Sequence, residues 1–461
     1  ALASGMFASA HDRLGRNRPD LGLKMSELQS TAFFQKIVQS RGTLISFSAL
    51  PIDSSASILT DAIAADKGSG MANKVVGHFR FNITYELASG VGGEAPGGGT
   101  FGGDVQEAVG SLDVVVKAKP TSDEFLNLVI KFAHQSDSTL GATFERHRND
   151  LGFRSCSDRE VAIARMAQES SLTGLALGAV HPVVYSSGLE PVREVFFYTM
   201  EFLAEKSFSH IHTVHDPSCW TDEHICVVLD GAARMHAQYM APGECEQLRT
   251  FTWIDPPNRE RMARTVPLWH ELLTNNRSNW PELWPDERAA FVEILISHLD
   301  DIWAVLEGAP KTLIHNDFNP RNLALRRATA ESSTTLCAYD WELATIHVPQ
   351  RDVVEFLAFV LPPNRITSSG PEDDTESAPE MFHHFYRTRL ELHSGRTFDE
   401  DHFTLVMRCA AADLAVTRLQ LYGLVHTFKE YQWLDRVLGS CFGYLSRVWQ
   451  PLAESLRGAP A

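Results

Sequence analysis

Two polar clusters at a short, fixed separation constrain this chain more than any other feature. The first is His315-Asn316-Asp317-Phe318-Asn319-Pro320-Arg321-Asn322, and the second is Asp340-Trp341-Glu342. Thr312-Leu313-Ile314 leads into the first, and Thr335-Leu336-Cys337-Ala338-Tyr339 ends at the second. Short apolar runs rich in β-formers read as strands. Two adjacent strands would bring Asp317, Asn322 and Asp340 to one end of a small ribbon. A proton-accepting carboxylate, beside an amide oxygen and a further carboxylate able to hold magnesium, is the set that phosphoryl transfer from a nucleotide to a hydroxyl requires. An aspartate at a strand end is by itself a common turn former. It is the two clusters in order that carry the reading.

With both clusters in place, the sequence resembles the aminoglycoside phosphotransferase and choline kinase group, small-molecule kinases with a protein-kinase-like fold. His315-x-Asp317-x4-Asn322 matches the catalytic loop of that group, and Asp340-Trp341-Glu342 matches its D-x-[DE] metal motif. Asp352 stands where the group often carries another acid, and Asn316 and Glu342 are closest to the choline and ethanolamine kinase form. The resemblance implies an α+β, bilobal protein-kinase-like fold with a β-rich N-lobe and a mostly helical C-lobe. It implies ATP and Mg2+ as cofactors and Asp317 as catalytic base, with His315 bracing the catalytic loop. Asn322 and Asp340 would be magnesium ligands, and Glu342 a second-metal or water-mediated ligand.

A kinase of this kind also needs an upstream lysine for the phosphates and a helix glutamate to pair it. Two runs end in lysine, Val114-Val115-Val116-Lys117 and Leu128-Val129-Ile130-Lys131. The first is β-branched and stopped by Pro120, so it reads as a buried strand. The second has helical spacing from Phe125 to Phe132 behind a Ser122 cap. Lys117 is the favoured phosphate lysine and Lys131 the alternative. Glu160, behind a Ser157-Asp158 cap, is the expected partner. By analogy with the family, the backbone of Glu201 and Leu203, after the apolar run from Val195, would meet the adenine edge. Two segments compete to cover the phosphates: the glycine-rich Gly97-Gly98-Gly99-Thr100-Phe101-Gly102-Gly103, which equally fits an insertion between strands, and a turn at Gly77-His78-Phe79-Arg80.

Composition narrows the class. The net charge of −17 over 461 residues offers no basic field for a nucleic-acid partner. No run approaches the ~20 apolar residues of a membrane span. Seven cysteines without C-x-x-C spacing fit a reducing cytoplasm. His210, His212 and His215 with Cys219 form a weak candidate zinc cluster. The opening Ala1 to Met6 lacks the parts of a secretion signal, and the five residues before Met6 are expected to be an expression scar.

The expected organisation is an N-terminal extension over 1–59, a nucleotide-binding N-lobe over 60–203, and a catalytic and acceptor-binding C-lobe over 204–461. The function expected is ATP-dependent phosphorylation of a small-molecule alcohol. A natural product or antibiotic is the first choice of acceptor, with Trp341 as one wall of its site. Choline or ethanolamine is the alternative acceptor, and an inactive kinase-shaped binding protein is the competing class.

Overall fold

The computed structural model describes residues 22–52, 75–88, 109–173, 175–211, 216–241, 243–330, 332–367 and 378–458. Five antiparallel strands form the N-terminal sheet: β1 (Gly42–Leu50), β2 (Gly77–Leu87), β3 (Val109–Ala118), β4 (Val184–Glu190) and β5 (Val195–Glu201). They lie in the order β1-β2-β3-β5-β4. The edge strand β1 falls within the segment expected to be an extension.

The valine run of β3 is buried on both faces, which explains why it reads as continuously apolar. Val114 and Val116 pack with Phe81, Ile83 and the buried Phe34 and Ile37 of helix α1 (Thr31–Val38). Val115 points the other way, onto Val161 and Ala164 of helix α2 (Cys156–Thr173). Lys117, two residues beyond Val115, shares that second face.

Strand register locates the connections around the sheet. Gly77 stands opposite Ala118 and Leu50 opposite Arg80, so the connection from β1 to β2 leaves the sheet at the Lys117 end. The glycine-rich connection joins β2 and β3 at the other end, where Glu86 faces Val109. Eight residues of strand, about 27 Å, separate Val109 from Lys117. Residues Gly97 to Gly103 lie outside the described residues. The expected turn at Gly77–Arg80 is instead the opening of β2, paired with Val115 to Ala118.

From Phe208 onward helices dominate around one large apolar core. The run with helical spacing from Phe125 to Phe132 lies on the helix Ser122–Ser136, and the Asp137 side chain then caps a second helix through Thr139 and Leu140. Among the described residues two small strand groups interrupt the helices. The strand Thr312–Ile314 pairs with Thr345–His347. A second ribbon pairs Leu323–Arg326 with Thr335–Ala338, and Phe208–Ser209 joins its edge. The run leading into the catalytic loop is thus not a neighbour of the run leading to Asp340, as the sequence suggested. Leu323 opposes Ala338 instead, which still sets Asn322 beside Tyr339, whose amide donates to the Asn322 carbonyl at 2.9 Å.

Candidate active site

Two interlocked groups of side chains meet where the sheet faces the helical lobe. The first is ionic. Lys117 Nζ lies 2.5 Å from Glu160 Oε1 and 2.6 Å from Asp340 Oδ1, so one ammonium joins β3, α2 and the second motif. Burial opposes the Lys117 charge, yet Asp340 and Glu160 hold its pKa above the ordinary lysine value. Burial works against the Asp340 carboxylate as well, but Lys117 and Lys119 keep it well below the usual range. Lys131 lies on the helix Ser122–Ser136, on none of these carboxylates.

Lys119 is a member that the sequence reading missed. It pairs with Glu160 Oε2 at 2.6 Å and with Glu342 Oε2. Tyr198 adds a hydrogen bond to Glu160 Oε1 at 2.9 Å. Oxygen atoms of Glu160, Asp340 and Glu342 converge within 4.8 Å of one another. With both Glu160 oxygens on lysines and 1% of its side chain exposed, Glu160 belongs to the lysine clamp. Asp340 is a third exposed, and among the described residues only its Oδ1 is paired, with Lys117. Glu342, expected as a metal ligand, is a fifth exposed and salt-bridged to Lys119; burial pushes its carboxyl up despite that lysine.

The second group is the catalytic loop. Asp317 Oδ1 accepts from Asn319 Nδ2 at 3.0 Å and from the Tyr422 hydroxyl at 2.7 Å. Its Oδ2 accepts from Asn322 Nδ2 at 2.7 Å. Both acceptor directions on Oδ1 are filled, while Oδ2 keeps one lone pair for an incoming hydroxyl. Asn322 Nδ2 also reaches the Asp317 carbonyl at 2.9 Å, leaving the Asn322 Oδ1 available to a cation. The Asn322 and Asp340 oxygens therefore fit a magnesium site that completes its shell with waters and phosphate oxygens. Burial raises the Asp317 pKa, but Arg321, Arg418 and the Tyr422 hydroxyl more than compensate and hold it down.

The loop has a buried scaffold. Asp352, fully buried, accepts from the backbone amides of His315 at 2.7 Å and Asn316 at 2.8 Å. His236 Nε2 lies 3.2 Å from the same carboxylate. Asn316 adopts φ 61°, in the left-handed region that asparagine tolerates better than most residues. His315 is also fully buried, with Nε2 at 2.9 Å from the Tyr339 carbonyl and its ring 4.5 Å from that of Trp341. That contact set suits a loop brace, with no surface offered to a substrate. Trp341 is completely buried, and its indole N–H donates to Ala338, so it is core and not an acceptor wall.

The segment after β5 carries the remaining expected positions. Glu201 uses its side chain on Arg326 and on the Val183 amide. The Leu203 carbonyl takes His210 Nε2 at 2.7 Å. His212 and His215 lie outside the described residues. A surface hollow of about 540 Å3, bounded by Thr274, Arg277 and Trp284 among others, contains none of the residues above.

With this geometry in view, comparison with known proteins defines the class. The model of the phosphotransferase enzyme family matches residues 154–393, more than half of the chain, and the chain belongs to that family. Among solved structures it is similar to an uncharacterised aminoglycoside phosphotransferase candidate from Ralstonia eutropha, at 13% identity over 90% of this chain and 98% of that one, with a TM-score of 0.42. It is also similar to choline kinase from Cryptosporidium parvum, at 10% identity over 93% and 98%, with a TM-score of 0.44. A choline kinase from Streptococcus pneumoniae gives 10% identity over 93% and 98%, with a TM-score of 0.36. No curated protein matches the chain. Among the described residues no helix is long and apolar enough to cross a membrane.

Proposed function

We propose that this protein transfers the terminal phosphoryl group of ATP, with magnesium, to a hydroxyl of a small molecule bound between the catalytic loop and the C-terminal helices. The observation that supports this best is the convergence of Lys117, Asp340, Asn322 and Asp317 from both lobes, with the Lys117 ammonium 2.6 Å from Asp340. Asp317 Oδ2 would take the hydroxyl hydrogen bond and receive its proton as transfer proceeds. Asn319, Asn322 and Tyr422 hold that carboxylate in one orientation, so the chain's contribution is positioning and fixed charge. Asn322 Oδ1 and Asp340 would hold the magnesium, which when bound neutralises charge on the transferring phosphoryl group. Lys117, kept charged by Glu160, would meet the phosphates.

A choline or ethanolamine acceptor has less support. The aromatic cluster beside Asp317, formed by Phe359, Tyr422, Tyr431 and Trp433, already holds the Arg321 guanidinium, a like charge for an alkylammonium. The test pairs binding with turnover. Mg-ATP should raise the melting temperature more than ATP with a chelator, and Asp317→Ala should lower ADP release by about a hundredfold or more while nucleotide binding persists. A protein that gains no magnesium-dependent stability would be the inactive binding class instead. Turnover surviving in Asp317→Ala would remove the base assignment.

A further inference from the structure

Arg321 meets a carboxylate only at long range and is surrounded mainly by aromatic rings. Its Cζ lies 5.0 Å from the ring centre of Trp433, 5.4 Å from Tyr422, 5.8 Å from Tyr431 and 5.9 Å from Phe359. Asn319 Oδ1 accepts from Nε at 2.9 Å, and the Tyr422 oxygen accepts weakly from Nη2 at 3.3 Å. The Asp317 carboxylate stands at 4.0 Å, beyond hydrogen-bond range, with both directions on its nearer oxygen already used. The Tyr431 hydroxyl hydrogen-bonds the guanidinium as well, and 27% of the side chain faces solvent.

Two other arginines are paired directly with carboxylates. Arg351 meets Glu355 and Asp413, and Arg326 grips both oxygens of Glu201. Arg321 has rings about it, an amide oxygen on Nε and two tyrosine hydroxyls at its other nitrogens, and it stays partly exposed 4.0 Å from the catalytic carboxylate. A planar guanidinium stacked in this way presents an edge that matches two oxygens of an oxyanion, where a lysine ammonium would not. An alkylammonium brought to the same edge would meet a like charge.

We propose that Arg321 anchors the acceptor, and that the acceptor carries an oxyanion, a carboxylate or a phosphate ester, close to the hydroxyl that is phosphorylated. This deepens the phosphotransferase reading and rests on it.

The test uses the full chain, Mg-ATP and matched acceptors: glucose, gluconate, glucose phosphate and glucosamine, with glycerol, glycerate, glycerol phosphate and serinol as the short series. ADP release should be stimulated by the anionic members, the carboxylates and the phosphate esters separating the two sources of the oxyanion. Arg321→Gln should raise the KM of the stimulating acceptor by about tenfold or more while the KM for ATP stays within about twofold. Arg321→Lys, which keeps the charge and loses the fork, should recover only part of that loss, and it carries the comparison if Arg321→Gln does not fold. Stimulation by only neutral or amino members overturns the proposal. So does an unchanged KM in Arg321→Gln, or no stimulation by any member while Mg-ATP still binds. A wild-type protein that fails to bind Mg-ATP would instead overturn the phosphotransferase reading beneath it.

Discussion

Replacing Asp352 by asparagine should loosen the catalytic loop while altering no group proposed to touch substrate. The carboxylate accepts two backbone amides, from His315 at 2.7 Å and Asn316 at 2.8 Å, in a site without solvent. Hydrogen bonds to a charged group contribute about 1.5–3 kcal/mol each, and a buried donor left without an acceptor costs about 1–3 kcal/mol. The amide side chain keeps one oxygen, now neutral, and turns an NH2 group toward the other backbone N–H. Losing one bond, weakening the second and orphaning one amide together predict a cost of roughly 3–4 kcal/mol. For a unit of this size that is a fall of about 6–10 °C in the melting transition.

The same change should slow catalysis. Asn316 is held at φ 61° by these bonds, and strain of about 1–2 kcal/mol favours its relaxation once they weaken. Asp317 is the next residue, and a displacement near 1 Å costs about a hundredfold in rate. Basal ADP release should therefore fall by roughly that factor with the KM for ATP little changed. Urea unfolding and steady-state ADP release read the two effects. A variant within about 0.5 kcal/mol of wild type and within threefold in rate would refute the scaffold argument.

Lys117→Met should weaken Mg-ATP binding by tenfold or more, as a charge-assisted phosphate contact is lost, whereas Lys131→Ala should leave it within about twofold; the reverse pattern in titration calorimetry would move the phosphate contact to Lys131. Arg351→Met should destabilise the fold by about 3–5 kcal/mol at neutral pH, because Glu355 and Asp413 would lose their shared buried cation. Burial already raises the pKa of both carboxyls despite Arg351, with Asp317 and Asp352 adding to the rise at Glu355 and Arg418 opposing it. A folded pKa above the unfolded one means stability that is present at low pH and lost as pH rises. The deficit of Arg351→Met should therefore shrink as pH falls toward 5, and a deficit that grew on acidification in pH-resolved urea melts would contradict the pairing.

The parts of the site that the sequence exposed were those written contiguously. His315 to Asn322 and Asp340 to Glu342 each carry their chemistry within a few residues, and a strand end delivers each motif. Lys117 was visible because a β-branched run buried on both sheet faces permits few other readings. Lys119 gave a signal that went unused, since residues two apart near a strand end share a face and Lys117-Ala118-Lys119 announces a pair. The turn expected at Gly77 lost to an alternation that already begins at Phe79 and runs through Phe81, Ile83 and Tyr85, the pattern of a strand with one buried face. Trp341 was misplaced because neighbouring motif residues face the cleft. In the left-handed turn at Asp340, φ 67°, the next side chain is sent into the core. Tyr422 and Arg418 could not be read at all. They lie about a hundred residues from the loop they contact, and only the folded lobe brings them there.

The helix that carries those two residues is interrupted by a π-turn over Ala415–Leu419, between Glu400–Leu414 and Gln420–His426. A π-turn holds one residue more than an α-turn, so everything after it is rotated by about 100° relative to an uninterrupted helix. Tyr422, beyond the turn, reaches Asp317 from that rotated face, and Arg418, within the turn, reaches the Asn316 carbonyl at 2.8 Å. The aim of this wall is thus set by a count of residues as much as by their identity. A relative with the same side chains and one position fewer in this stretch would turn them toward a different neighbour, and an alignment that closes the gap would equate residues that do different jobs.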